Sequence, residues 1–188
     1  MKIFLVITTA IQLFSTHCFA VARPQCCRPN FDQAASLIIN RSASKIENRY
    51  HIKCIGTGAS MPGGPIRFIT LSFQIRGGLS KEHLRKILLS SAQDILETAQ
   101  EVPYLDACLY EPPFGIQSLD VVLFVYDRDG GNIYDPWITV ANLSQGILQY
   151  KVKEQGSNFL KIKEGLTETY EEALKAIEEE NGTICNAP

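Results

Sequence analysis

His51 and Cys54 stand three residues apart, and a thiol beside an imidazole is the least equipment that nucleophilic hydrolysis needs. Cys108 and His83 offer the same pair at long range, because catalytic partners only have to meet in the fold. No thiol-protease signature surrounds any of these cysteines, and on a shared strand a spacing of three puts His51 and Cys54 on opposite faces. Cys26, Cys27, His51 and Cys54 are also residue types that tetrahedral zinc accepts, but adjacent cysteines followed by H-x-x-C lack the usual knuckle spacing. The sequence thus predicts no metal and no cofactor, with the catalytic residues unknown and His51, Cys54 and Cys108 as the candidates.

Other chemistry-bearing patterns read more simply as structure. Gly56-Thr57-Gly58 opens like a dinucleotide-binding loop, yet the third glycine is missing and Pro62-Gly63-Gly64-Pro65 leads toward a strand, so no helix N-terminus awaits a phosphate. Asp127, Asp129, Asn132 and Asp135 gather oxygens around a glycine turn, but the spacing and the missing distal Glu fail the EF-hand template and fit hairpin-turn chemistry. No G-x-S-x-G elbow exists for a serine nucleophile. Glu168, Glu171, Glu172, Glu178, Glu179 and Glu180 read as a solvated helix face. Asn40-Arg41-Ser42, Asn142-Leu143-Ser144 and Asn181-Gly182-Thr183 are glycan acceptor sequons, relevant only in a eukaryotic cell.

The compartment is set by residues 1–22, a secretory signal peptide by pattern: Lys2, an apolar run from Ile3 to Phe14, and the small-residue ending Cys18-Phe19-Ala20-Val21-Ala22. The run is about a dozen residues long, where a spanning helix takes ~20, so no stable membrane span is expected after cleavage behind Ala20 or Ala22. The remaining chain, residues 23–188, is expected to be one exported domain, periplasmic or extracellular. There Cys26, Cys27, Cys54, Cys108 and Cys185 are disulfide candidates, with Cys54 and Cys108 equally readable as buried thiols among apolar neighbours. The formal charge of −2 gives no electrostatic reason to expect nucleic acid as a partner.

The elements that must position these residues follow from periodicity. Asn30 or Asp32 caps a helix to about Arg41, Tyr50–Ile55 is a strand, and Gly56 to Pro65 is a loop. Ile69, Leu71, Phe73 and Ile75 alternate with Thr70, Ser72, Gln74 and Arg76, a strand with one wet face. Ser80 caps a long amphipathic helix, and Val102 to Gln117 is an irregular connection anchored by Tyr104, Leu109, Tyr110 and Phe114. Leu119–Tyr126 is apolar at both parities, a central strand. Turns at Asp127–Asn132 and Gln145-Gly146 separate Ile133-Tyr134, Trp137–Ala141 and Leu148–Val152, and Phe159–Lys163 is an edge strand whose lysines discourage pairing with another chain. Thr169 with Glu172 forms a capping box for a last helix that Gly182 stops.

This order predicts an α+β two-layer sandwich, a mostly antiparallel twisted sheet of four to six strands with two or three amphipathic helices on one face. The β-α-β-β-α order from Ile66 to Glu180 resembles ring-building motifs of secretion-system envelope proteins and other split β-α-β modules, a likeness of element order alone. The scarcity of catalytic side-chain types points to a soluble, non-enzymatic domain that binds another protein or an envelope component. Thr70, Ser72, Gln74 and Arg76, with Tyr104, Tyr110 and Phe114, are the expected binding surface. The competing reading is a small exported thiol- or zinc-dependent hydrolase built on His51, Cys54 or Cys108.

Overall fold

In the computed structural model, which describes residues 30–184, the chain forms a two-layer α+β sandwich. A six-stranded sheet runs in chain order, β1 (Lys53–Ser60), β2 (Phe68–Arg76), β3 (Leu119–Tyr126), β4 (Ile138–Ser144), β5 (Ile147–Lys153) and β6 (Leu160–Thr169). Every neighbouring pair is antiparallel except β2 with β3, which are parallel and joined through a crossover helix. Three helices, α1 (Phe31–Tyr50), α2 (Lys81–Gln100) and α3 (Tyr170–Ile184), cover one face. Four strands separate α2 from α3, where the β-α-β-β-α order of the ring-building motifs has two, so that likeness of element order does not hold.

The caps match the local signals. Asn30 accepts a hydrogen bond from the Gln33 amide, and Ser80 Oγ accepts one from the His83 amide. Thr169 Oγ1 accepts from the Glu172 amide at 3.1 Å while the Glu172 carboxylate accepts from the Thr169 amide at 2.8 Å, the reciprocal capping box. α3 continues past Gly182 to Ile184, so that glycine is no stop.

α1 also outruns its expected end at Arg41 by more than two turns, reaching Tyr50. The stripe Ala34, Ala35, Ile38, Ser42 and Ile46 recurs at three and four, and Ser42 is fully buried, so a small polar residue holds a core position there. β1 runs through Gly56-Thr57-Gly58 to Ser60, a segment whose glycines argue for a loop. Pairing with β2 overrides that preference: Gly56 lies opposite Ser72 and Gly58 opposite Thr70. Only residues 61–67 turn the chain. Gly64 sits there at φ +120°, and a Cβ on it would lie 2.8 Å from the Phe31 ring, so this position requires glycine. Ile133-Tyr134 forms no strand, although Ile133 is buried.

The core lies between the helices and one face of the sheet. β2 contributes Ile69, Leu71, Phe73 and Ile75, and β3 contributes Leu119, Val121, Leu123 and Val125. Leu84, Leu88, Ala92 and Ile95 of α2 pack on them, each fully buried. The irregular connection after α2 is clipped to this frame by Ile66, whose amide donates to Cys108 O and whose carbonyl accepts from the Tyr110 amide, both at 2.8 Å.

Candidate functional site

The helices leave the other face of the sheet uncovered among the described residues, and strand register fixes what stands on it. Asp120, Val122 and Phe124 of β3 lie opposite Ser144, Asn142 and Val140 of β4. Those in turn lie opposite Ile147, Gln149 and Lys151 of β5, and Lys151 and Lys153 lie opposite Ile162 and Leu160 of β6. A hollow of about 690 Å³ opens over these strands, with Val122, Phe124 and Val140 as its floor and Leu160 at its side. A smaller one of about 230 Å³ shares Phe124, Val140 and Leu160 and reaches Lys153, so the two adjoin. Lysines thus stand at one end of the floor, and Asp120 and Ser144 at the other.

Apolar side chains exposed on a sheet face are unusual enough to ask for a reason. Leu160 and Ile162 are 44% and 48% exposed, and Phe159 just before them is 76% exposed. Asn142 points the same way: it is only 8% exposed, lines the hollow, and its Oδ1 has no hydrogen-bond partner among the described residues. A buried acceptor left without a donor costs about 1–3 kcal/mol, which a ligand group could recover.

The residues singled out from the sequence fall around this floor. Thr70, Ser72 and Gln74 stand on the same uncovered face, directly opposite Asp120, Val122 and Phe124, and Arg76 follows at its exposed end. Tyr110 belongs to a different corner, where the Arg67 guanidinium lies 5.2 Å from the Phe68 ring and 5.5 Å from the Tyr110 ring. Tyr104 and Phe114 line a separate hollow of about 600 Å³ beside the end of α2. The centre of the floor, Val122, Phe124, Val140 and Asn142, was not among the expected binding residues; its signal was the double apolar parity of Leu119–Tyr126.

The candidate catalytic residues are dispersed. His51 is the left-handed cap of α1 (φ 53°) and lines a hollow of about 460 Å³ with Gln74 and Arg76. Cys54 is half-buried, and its Sγ donates to Gly56 O at 3.7 Å. Cys108 is buried in a 3-10 turn at Leu105–Cys108, and His83 Nδ1 is engaged with Ser80 Oγ at 3.0 Å. Burial pushes both thiols above the ordinary cysteine range, against the lowered value that a nucleophilic thiolate needs. Among the described residues no group of three His, Cys, Asp or Glu could hold a metal ion. Cys54 and Cys108 are free thiols, while Cys26, Cys27, Cys185 and the signal-like segment lie outside the described residues.

One titratable cluster escaped the sequence reading altogether. Glu168, grouped there with a solvated face, is a β6 residue pointing to the helix side, its side chain 10% exposed. Arg85 of α2 grips it with two prongs, Nε and Nη2 each 2.9 Å from a carboxylate oxygen, while Nη1 reaches Glu180 of α3 at 3.2 Å. The Tyr150 hydroxyl donates to the same carboxylate. Burial alone would push Glu168 up, but Arg85 and the Tyr150 hydroxyl outweigh it and hold the carboxyl below its usual range. Burial, then the Glu168 carboxylate, push the Tyr150 phenol far above its ordinary value. With Tyr150 fully buried and Arg85 and Glu168 nearly so, the centre of the cluster serves as a staple joining α2, β6 and α3.

Comparison with protein families, with curated proteins and with solved structures finds no match to this chain. No helix among the described residues is long and apolar enough to cross a membrane.

Proposed function

We propose that the chain is an exported, non-enzymatic binding domain that engages another protein through the helix-free face of its sheet. The observation that carries this reading is the apolar floor of Val122, Phe124 and Val140, framed by hydrogen-bonding groups and lysines and holding the Asn142 side-chain Oδ1, which has no partner among the described residues. Export rests on residues 1–22.

Site-specific photo-crosslinking in the producing cell tests the binding reading. A photoreactive residue at Gln149, on the open face, is expected to capture a protein adduct, and the same residue at Glu97, on the helix layer, is not. Equal capture from both positions, or none from Gln149, would remove the support for this face. Mass spectrometry of native material tests the export reading: the mature chain is expected to begin at Val21 or Arg23, and an intact Met1 overturns it.

A further inference from the structure

We infer that the occupant of this face is an acidic amphipathic helix, its apolar stripe on the Val122–Phe124–Val140 floor and its carboxylates beside Lys151 and Lys153. This rests on the reading that the open face is the binding surface, and it names the chemistry of the partner.

Size argues for a single helix. Strands lie about 4.8 Å apart and rise about 3.3 Å per residue, so the floor from β3 to β6 is roughly 14 Å wide and, from Asp120 to Tyr126, roughly 20 Å long. That is about 300 Å² of sheet in projection, and about 480 Å² with β1 and β2 included, under the roughly 800 Å² per partner that a stable face-to-face dimer takes. An α-helix is about 10–12 Å across with its side chains and rises 5.4 Å per turn, so three to four turns fill the space. Helix on sheet is also how the opposite face of this same sheet is covered.

Charge argues for acid. Lys151 and Lys153 on the open face have no ion-pair partner among the described residues, although the whole chain carries a formal charge of −2. They flank the apolar floor at one end, where they favour carboxylates, while Asp120 at the other end disfavours them, so the helix must carry its acids toward one end. The chain's own segments do not meet this description. Residues 1–29 and 185–188 contain no Asp or Glu, and the acidic helix α3 already spends its apolar stripe, Ala173 with Tyr170 and Ile177, on the core. Asn142 adds a specific demand for a donor from the helix, such as a Gln or Ser side chain pointing into the floor.

A display library of 18-residue helices, with fixed leucines at three-and-four spacing and every other position randomised, tests the inference on the purified chain. Clones are selected on the wild type and counter-selected on a Phe124→Asp variant shown by circular dichroism and thermal melting to be folded. Enrichment of sequences with Asp or Glu clustered at one end is expected, binding at least tenfold more weakly at 0.5 M salt and at least tenfold more weakly to K151E/K153E. That double variant changes only half-exposed surface residues, so its result stands if the Phe124 variant fails to fold. Surviving clones that are neutral or basic, or that bind K151E/K153E unchanged, overturn the acidic helix and leave the open face as a binding surface. If no clone distinguishes wild type from either variant, both readings fall. Concentration-dependent dimerisation of the wild type abolished by K151E/K153E would assign the face to a second copy and also overturn the inference, as would binding to anionic vesicles of phosphatidylglycerol that a selected acidic peptide does not displace.

Discussion

Replacing Arg85 by Met removes the centre of the buried ionic staple while nearly keeping its volume. Arg85 and Glu168 are 9% and 10% exposed, so the Glu168 carboxylate left behind cannot turn to water. Its remaining partners are the Tyr150 hydroxyl and, at 3.8 Å, Lys81. Breaking a buried pair from one side costs about 3–5 kcal/mol, and these two survivors place R85M near the lower bound, at about 3 kcal/mol. That is a large share of a stability typically between about 5 and 15 kcal/mol. The double variant R85M/E168M removes both buried charges, leaving Glu180 to Lys86 at 2.9 Å and the Tyr150 hydroxyl without its acceptor, and is expected to cost less than the sum of the singles, with a coupling of about 2 kcal/mol. Urea unfolding measures these values, and R85K, which keeps the charge but loses the two-pronged grip, serves if R85M does not fold.

The same staple has a pH signature. In the wild type the folded Glu168 carboxyl titrates below its unfolded counterpart, whose value is about 4.3. Its contribution is therefore complete above that pH and is lost as pH falls through the lower folded value. In R85M burial dominates and raises the carboxyl, so the penalty for burying it charged fades as pH falls toward 4 and the gap to wild type narrows. A cost for R85M below about 1 kcal/mol, strict additivity with E168M, or a gap that does not change between pH 7 and pH 4 refutes the staple as an energetic unit.

Asp94 makes a useful contrast: it is 1% exposed, but its partners Lys45 and Arg49, at 3.0 and 2.8 Å, are 37% and 45% exposed and regain water when it is removed. D94N is therefore expected to shift stability by no more than about 1 kcal/mol in urea unfolding. Gly64→Ala, which adds a Cβ 2.8 Å from the Phe31 ring at φ +120°, is expected to lower stability by about 1–3 kcal/mol in the same assay. Cys54 and Cys108, raised by burial, should alkylate at pH 7.5 more slowly than a free thiol. Peptide-level mass spectrometry is expected to show the 4% exposed Cys108 slower than the half-buried Cys54.

Much of the scaffold was legible because local chemistry and global packing agree at Asn30, Ser80 and the Thr169–Glu172 box, and because β2 alternates without a fault. Reading failed where a tertiary partner overruled a local preference. Ser42 breaks the apolar pattern of α1 yet is buried in it, and Gly56 and Gly58 read as loop until β2 pairs with them. Glu168 is invisible to pattern analysis because its partner lies 83 residues away in the chain. The candidate site was half legible. β2 supplied its polar margin, but the apolar outer residues of β3 were read only as the mark of a central strand, not as the floor of a site on the face the helices leave open.

The crossover in this sheet has a kinetic meaning. All strand pairings but one join strands linked by a short connection, so β1–β2 and the meander from β3 to β6 each assemble from nearby segments at small loop-closure cost. Only the parallel seam between β2 and β3 must wait for residues 77–118 to be gathered in, with α2 laid under it. Zipping that seam is the slowest non-local event the topology imposes, and the two halves of the sheet become one body when it closes.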